Sequence, residues 1–241
     1  MGSFMEIFSD SRIKLRRAKR LINELRSVLD PVLEKGLVSY SNGRFHQENV
    51  NDKELTGKVS VEIHIREIPE DTPAILGDIV HNMRAALDLM ASEMAELNGR
   101  SRTGVYFPFA RDADGLEEQI KRKKFNRCGA DAIDLVKDLK PWKGGNVELR
   151  AVHDLDVMDK HQSLMPQPQV QYERVGFDFV DTPQGTTIQM RPPKVSESFL
   201  VLPPQSGIGE SELFQTLAGL LHLCESILEA FAALEFPAQS S

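Results

Sequence analysis

Two long apolar seams constrain what this chain can fold into. Across 72–98, Leu76, Val80, Met83, Leu87, Met90, Met94 and Leu97 follow one another at alternating steps of four and three. Leu213, Leu217, Leu220, Cys224, Ile227, Phe231 and Leu234 repeat the pattern near the other end of the sequence. This spacing lines one side of a helix with apolar groups, and such a stripe must be covered by another element. A third stripe, Leu15, Ala18, Ile22, Leu25, Leu29 and Val32, predicts a helix from about 11 to 35, capped by Ser9 or Ser11. Asp30-Pro31 should kink or restart that helix, and Gly36 should end it. Asp71 or Thr72 before Pro73 reads as the cap of the second helix, and Ser211 or the glycines before it as that of the last. A further helix is expected over 146–164, with shorter ones over 114–125 and 130–139.

Between these helices the period changes from near 3.6 to 2. Val59, Val61, Ile63 and Ile65 alternate with Ser60, Glu62, His64 and Arg66, the pattern of a half-buried strand. Ser41 to Thr56 reads as a long hairpin loop back to a weaker strand at Leu37 to Tyr40. Gln167 to Leu202 reads as β again, with a turn at Thr182-Pro183-Gln184-Gly185. No βαβ alternation links these pieces. The expected fold is therefore α+β: a helical bundle of about four longer helices packed beside an antiparallel β-sheet, with strands 57–67 and 168–203 in one sheet. Residues 1–4, ahead of a second methionine at Met5, read as a cloning remnant, leaving 5–241 as a single domain.

A chain of 241 residues that is 41% hydrophobic and 27% charged can bury such a core. No uncharged apolar run is long enough to span a membrane and no signal peptide is apparent, so no membrane partner and a cytoplasmic location are expected. Cys128 and Cys224 stand alone, which excludes a disulfide framework, a CxxC motif and a four-cysteine zinc site. The net charge of -7 argues against general adhesion to nucleic acid. Its distribution is uneven, however. Arg12, Lys14, Arg16, Arg17, Lys19 and Arg20 form one basic run, and Lys121, Arg122, Lys123, Lys124 and Arg127 another. Either could meet RNA or another polyanion, or serve only as a solvated helix face.

Chemistry concentrates in two segments. In Gly77 to Asp88, His81, Arg84 and Asp88 share one helix face, continued by Ala91 and Ala95. Small residues beside polar ones imply that another helix approaches, and buried charges there must be paired or have a use. Arg84 is accordingly expected to be buried and bonded to Asp88 or to a carboxylate of 153–161. The second segment, His153 to His161, carries two histidines and the carboxylates Asp154, Asp156 and Asp159. Imidazole and carboxylate ligands suit zinc, manganese or iron, so His81, Asp88, His153 and Asp156 form an alternative metal set. No compact metal signature is present, and no metal or other cofactor is favoured. The bland reading has His153 and His161 tying their helix to the sheet or to the Arg84 face.

The same segments carry a resemblance. The helix G-D-x-x-H-N-x-R-x-A-L-D (Gly77 to Asp88), the pair Phe107-Pro108 and the element L-H-x-L-x-x-x-D-K-H (His153 to His161, with Val152 for the leading leucine) resemble a widespread group of uncharacterised bacterial proteins. An arginine followed five residues later by histidine on a bundle helix is in turn similar to the signature of the HEPN superfamily. That resemblance implies a metal-independent endoribonuclease acting as a homodimer, with Arg84 stabilising phosphate charge and a histidine moving the proton. This chain departs from the pattern by placing Leu89 where the histidine would stand. Either His81 or His161 substitutes in space, with His81, Arg84, Asp88 and His161 as the catalytic set, or the chain is a catalytically degenerate relative. Binding would fall to Arg12, Arg16, Arg17, Arg20, Lys121, Lys123 and Lys124. The other classes left open are a metal-dependent hydrolase and a non-enzymatic homo-oligomeric interaction module.

Overall fold

A computed structural model describes residues 7–40, 44–51, 54–60, 63–172, 176–183, 185–191, 195–208 and 211–236. The fold is α+β. In chain order it comprises α1 (Ser9–Leu33), β1 (Val38–Tyr40), β2 (Arg44–Asn51), β3 (Glu54–Ser60), β4 (Ile63–Ile65), α2 (Thr72–Leu97), α3 (Leu116–Arg122) and a 3-10 turn (Phe125–Cys128). Then follow α4 (Ala130–Leu139), α5 (Val147–Asp159), β5 (Gln167–Tyr172), β6 (Gly176–Thr182), β7 (Gly185–Arg191), β8 (Val195–Val201), a second 3-10 turn (Pro204–Ser206) and α6 (Leu213–Ala232). Within 5–241, read above as one domain, the chain falls into two compact units. One holds residues up to Val28, Glu70–Pro166 and Leu202 onward; the other holds Leu29–Pro69 and Gln167–Val201.

The first unit is helical. Both long seams lie inside it: Leu76 to Met94 on α2 and Leu213 to Phe231 on α6 are buried. α2 packs against both α5 and α6, and α5 also packs against α6. Because α2 is covered on several sides, even its small residues Gly77, Ala86, Ala91 and Ala95 are buried. Phe107 fills the space between helices. Its ring centroid lies 6.1 Å from that of Phe125 and 6.5 Å from that of Phe231, both edge-on, an arrangement favoured by the ring quadrupoles. The neighbour expected opposite Ala91 is the first 3-10 turn rather than a long helix, and Cys128 Sγ donates to the Ala91 carbonyl at 3.2 Å.

Several of the expected helix ends differ. α1 continues two residues past Pro31 to Leu33, and the chain reverses at Gly36 with φ +77. Neither Ser9 nor Ser11 caps it in the expected way. Glu93 of α2 does so from outside, accepting the Asp10 N–H at 3.0 Å, the Ser11 N–H at 3.3 Å and the Ser11 hydroxyl. Asp71 is itself helical and makes no side-chain cap bond; Pro73, which lacks the N–H, relieves that need. α6 is capped by Glu212, which accepts the Gln215 N–H at 2.8 Å, not by Ser211. α5 starts as expected at Asn146, whose side chain accepts the Leu149 N–H, but ends at Asp159 instead of 164. Since Glu93 serves two orphan amides and a buried hydroxyl at once, Glu93→Ala is expected to cost about 1–2 kcal/mol in chemical denaturation, the range of a lost cap.

The second unit holds the strands, and here the expectation of one sheet is corrected. Among the described residues the strands form four two-stranded antiparallel ladders, β1 with β4, β2 with β3, β5 with β8 and β6 with β7. None joins the 38–65 region to the 167–201 region. Each region is a nested hairpin, because antiparallel partners linked by short turns find one another before distant strands do. The stretch read as a loop over 41–56 contains β2, paired with β3 in register from Arg44↔Ser60 to Asn51↔Glu54. β4 is not half-buried either, since Ile63, His64 and Ile65 are all exposed. Val61 and residues 1–4 lie outside the described residues.

Candidate functional site

The site is built where α2 meets α5 and the extended segment 105–110. α2 presents Gly77, His81, Arg84 and Asp88 at steps of four, three and four, and each has a defined place in the site. At Gly77 the missing side chain makes room for a carboxylate: a Cβ there would lie 2.2 Å from Oδ1 of Asp159. Burial, with Asp156 and Asp78 nearby, holds the Asp159 carboxyl above its usual range.

One turn along, Nδ1 of His81 lies 3.0 Å from Oδ1 of Asp156, while Lys160 Nζ donates to Oδ2 at 2.5 Å. The Asp156 side chain is only 6% exposed, whereas that of His81 is 53% exposed. Burial alone would raise the Asp156 carboxyl, but the bonds from Lys160 and His81 outweigh it and hold it below the usual carboxylate range. An ionised carboxylate makes Nδ1 the donor, which fixes the ring and turns Nε2 away from Asp156.

Arg84 occupies the next turn. As expected it is buried, its side chain 9% exposed, and Nη1 sits 2.6 Å from Oδ1 of Asp88. That approach is off the N–H axis, so the ion pair is close while Nη1 makes no directed hydrogen bond. The guanidinium carbon lies 4.6 Å from the centroid of the Phe109 ring. Phe109 in turn stacks on His153 of α5, centroids 4.7 Å apart and planes 12° from parallel. Burial, then the charges of Arg84 and Arg150, push His153 down to about 4, so the ring is neutral at pH 7. Asp88 Oδ1 also accepts the Phe107 N–H at 2.9 Å, which fixes the segment that delivers Phe109. Arg150 completes the junction, forking onto Asp154 and donating to the Ala110 carbonyl at 2.7 Å.

Of the catalytic set, the structure brings His81, Arg84 and Asp88 onto one face but leaves His161 apart. His161 is exposed in the turn beyond α5, and among the described residues no bond joins it to Arg84. The metal alternative is corrected. His81 and Asp156 are paired with each other, Asp88 serves Arg84 and Phe107, and His153 lies against Phe109; no group of three or more ligand side chains converges among the described residues. The sequence reading missed Phe109 and Arg150. Both had a signal: Phe107 and Phe109, two apart across a proline, face the same way in extended chain, and Arg150 with Asp154 is a helical i,i+4 pair.

The basic residues are dispersed. Arg16, Arg17 and Arg20 are exposed on α1, whereas Arg12 is partly covered and pairs with Glu229 of α6 through Nη1 at 2.5 Å and Nη2 at 3.1 Å. Lys121 and Lys124 are exposed, and the Lys123 ammonium lies 5.4 Å from the Tyr106 ring centroid. No protein-family model, curated protein or solved structure matches this chain. Among the described residues no helix is long and apolar enough to cross a membrane.

Proposed function

We propose that this chain is a HEPN-like helical protein that binds RNA, or another polyanion of phosphate chemistry, without cleaving it. The observation that carries the reading is the state of Arg84. Its guanidinium lies under Phe109, and its charge is answered by Asp88, so the arginine that would meet a scissile phosphate is turned into a strut. The exposed cations of α1 and of 121–124 supply attraction for a phosphate chain despite the acidic whole. A homodimer and a cytoplasmic location belong to the same reading.

A second reading has one observation in its favour. The exposed imidazole of His81, oriented by buried Asp156, has the arrangement of a proton-transfer pair, and it stands one helical turn from Arg84. A labelled single-stranded RNA mixed with the protein, with and without EDTA, separates the two. Retarded but intact RNA is expected. Cleavage that survives EDTA and vanishes in His81→Ala would establish the ribonuclease instead. Cleavage stopped by EDTA would point to a metal hydrolase, and neither retardation nor cleavage would end the RNA reading.

A further inference from the structure

Tyr106 and Phe107 are neighbours in the extended segment, so their rings leave the chain on opposite sides. Phe107 is fully buried between the helices, which sends Tyr106 outward, and Tyr106 is 47% exposed. It emerges beside the second basic run. The Lys123 ammonium lies 5.4 Å from its ring centroid, within the roughly 6 Å over which an aromatic face attracts a cation. Lys121, Arg122 and Lys124 of the same run are exposed.

The ring and the cations are fastened to one another. The Tyr106 N–H donates to the Lys123 carbonyl at 3.1 Å, and Arg127 donates from Nη1 to the carbonyls of Ser101 at 3.1 Å and Thr103 at 3.3 Å. Arg127 is thus a brace between the 101–106 loop and the 3-10 turn. At Gly104 a Cβ would lie 3.2 Å from Nζ of Lys124, so the glycine leaves space for that ammonium. Lys124 itself has φ 52 and ψ 24, a left-handed conformation that costs a residue with a side chain on the order of 1 kcal/mol. A lysine is therefore kept where glycine or asparagine would sit with less strain. The Glu117 carboxylate of α3 is engaged by Lys137 at 2.7 Å, with Lys121 a further cation nearby. α1 offers no comparable surface: it contains no aromatic residue, and its Arg12 is tied to Glu229.

We infer that the RNA of the proposed function docks here as a single strand, one base stacking on Tyr106 while the flanking phosphates meet Lys123 and Lys124. This assignment rests on the RNA-binding reading and adds the place and the strandedness. An exposed aromatic ring amid cations fits a single strand, whose bases present their faces, and not a duplex, whose bases are already stacked on one another. Every base has such a face, so binding here tolerates any sequence.

The test is an anisotropy titration of labelled single-stranded RNA, and of the same strand in a duplex, at several salt concentrations. Tyr106→Ala is expected to weaken single-strand binding about tenfold without altering the slope of log affinity against log salt, because stacking releases no counterions. Tyr106→Phe should stay within about twofold of the parent, and duplex binding should not respond to either change. Lys123→Gln and Lys124→Asn are each expected to weaken binding about three- to fivefold at low salt and to reduce the slope by about 0.7; asparagine tolerates the left-handed turn. Arg17→Gln on α1 should stay within about twofold. Far-UV circular dichroism checks that the variants are folded, and the unaltered slope in Tyr106→Ala with rescue by Tyr106→Phe separates lost stacking from lost structure. Single-strand binding unchanged in Tyr106→Ala, or an equal loss on duplex RNA, would overturn the stacking site while leaving RNA binding in place. Failure of the parent to bind RNA at low salt would overturn both.

Discussion

Asp88→Ala is expected to destabilise the protein by about 3–5 kcal/mol, the cost of stranding a buried charge when its partner is removed. The carboxylate lies 2.6 Å from Nη1 of Arg84, and Arg84 is nearly shielded from water. The same oxygen accepts the Phe107 N–H, so one truncation removes two anchors. Asp88 itself is 25% exposed, and were the pair at the surface its loss would cost at most about 1 kcal/mol. For a chain of this size the larger figure lowers the melting temperature on the order of 10 °C. Arg84→Ala should lose stability as well, through the missing contact with Phe109 and an unpaired Asp88. Calorimetry on the two single variants and the double variant checks the pairing, because a real pair leaves the double variant less damaged than the sum of the two. Melting unchanged in Asp88→Ala would show that Arg84 reaches water after all.

The second large effect is a loss of stability in mild acid that originates at His153. Its folded value of about 4 lies below the ordinary 6.5. Between those values the unfolded chain takes up a proton that the folded chain refuses. The stabilisation is therefore complete above pH 6.5, declines as pH falls, and is gone below about 4. The depression corresponds to roughly 3 kcal/mol at most. His153→Phe keeps a flat ring against Phe109 and removes the titration. Urea denaturation at intervals from pH 7.5 to 4 should give a steep fall in the parent and a shallower one in the variant. Asp159, whose carboxyl is held high, works in the opposite sense near its own range: its neutral form is favoured by folding, so its contribution weakens as pH rises. Identical pH curves for parent and variant would mean that His153 is solvated in the folded chain.

The helices were legible because their signal is repeated many times over. Seven seam positions on α2 and six on α6, with Leu234 just beyond it, all point inward or to the rim, and no single substitution could have obscured the period. The strands were harder to read. A period of 2 says which residues share a face but nothing about which strand lies beside which, so the nested ladders could not be told from one sheet. The helix caps failed for a related reason: Glu93 is some eighty residues from the amides it accepts, and local cap rules cannot see a partner on another helix. At the site, spacing alone placed His81, Arg84 and Asp88 together and anticipated the Arg84 and Asp88 pair. It could not tell which member faces water. That depends on Phe109, which arrives from a segment without periodicity, and it reverses the roles a motif would suggest, leaving the histidine accessible and the arginine enclosed.

The pairing of Val38 with Ile65 and of Gln167 with Val201 carries a consequence for how such a chain tolerates change. Each β excursion begins and ends on residues that face one another across a ladder, so the polypeptide departs and returns at nearly one point, as an inserted cassette does. Residues can be added or removed beyond either pair without altering the distance that α1 and α2, or α5 and α6, must span. Variation in length is thus best accommodated inside 38–65 and 167–201. The spacing from Gly77 to Asp88 and from Arg150 to Lys160 admits none, because a single added residue would turn every later side chain about 100° round its helix.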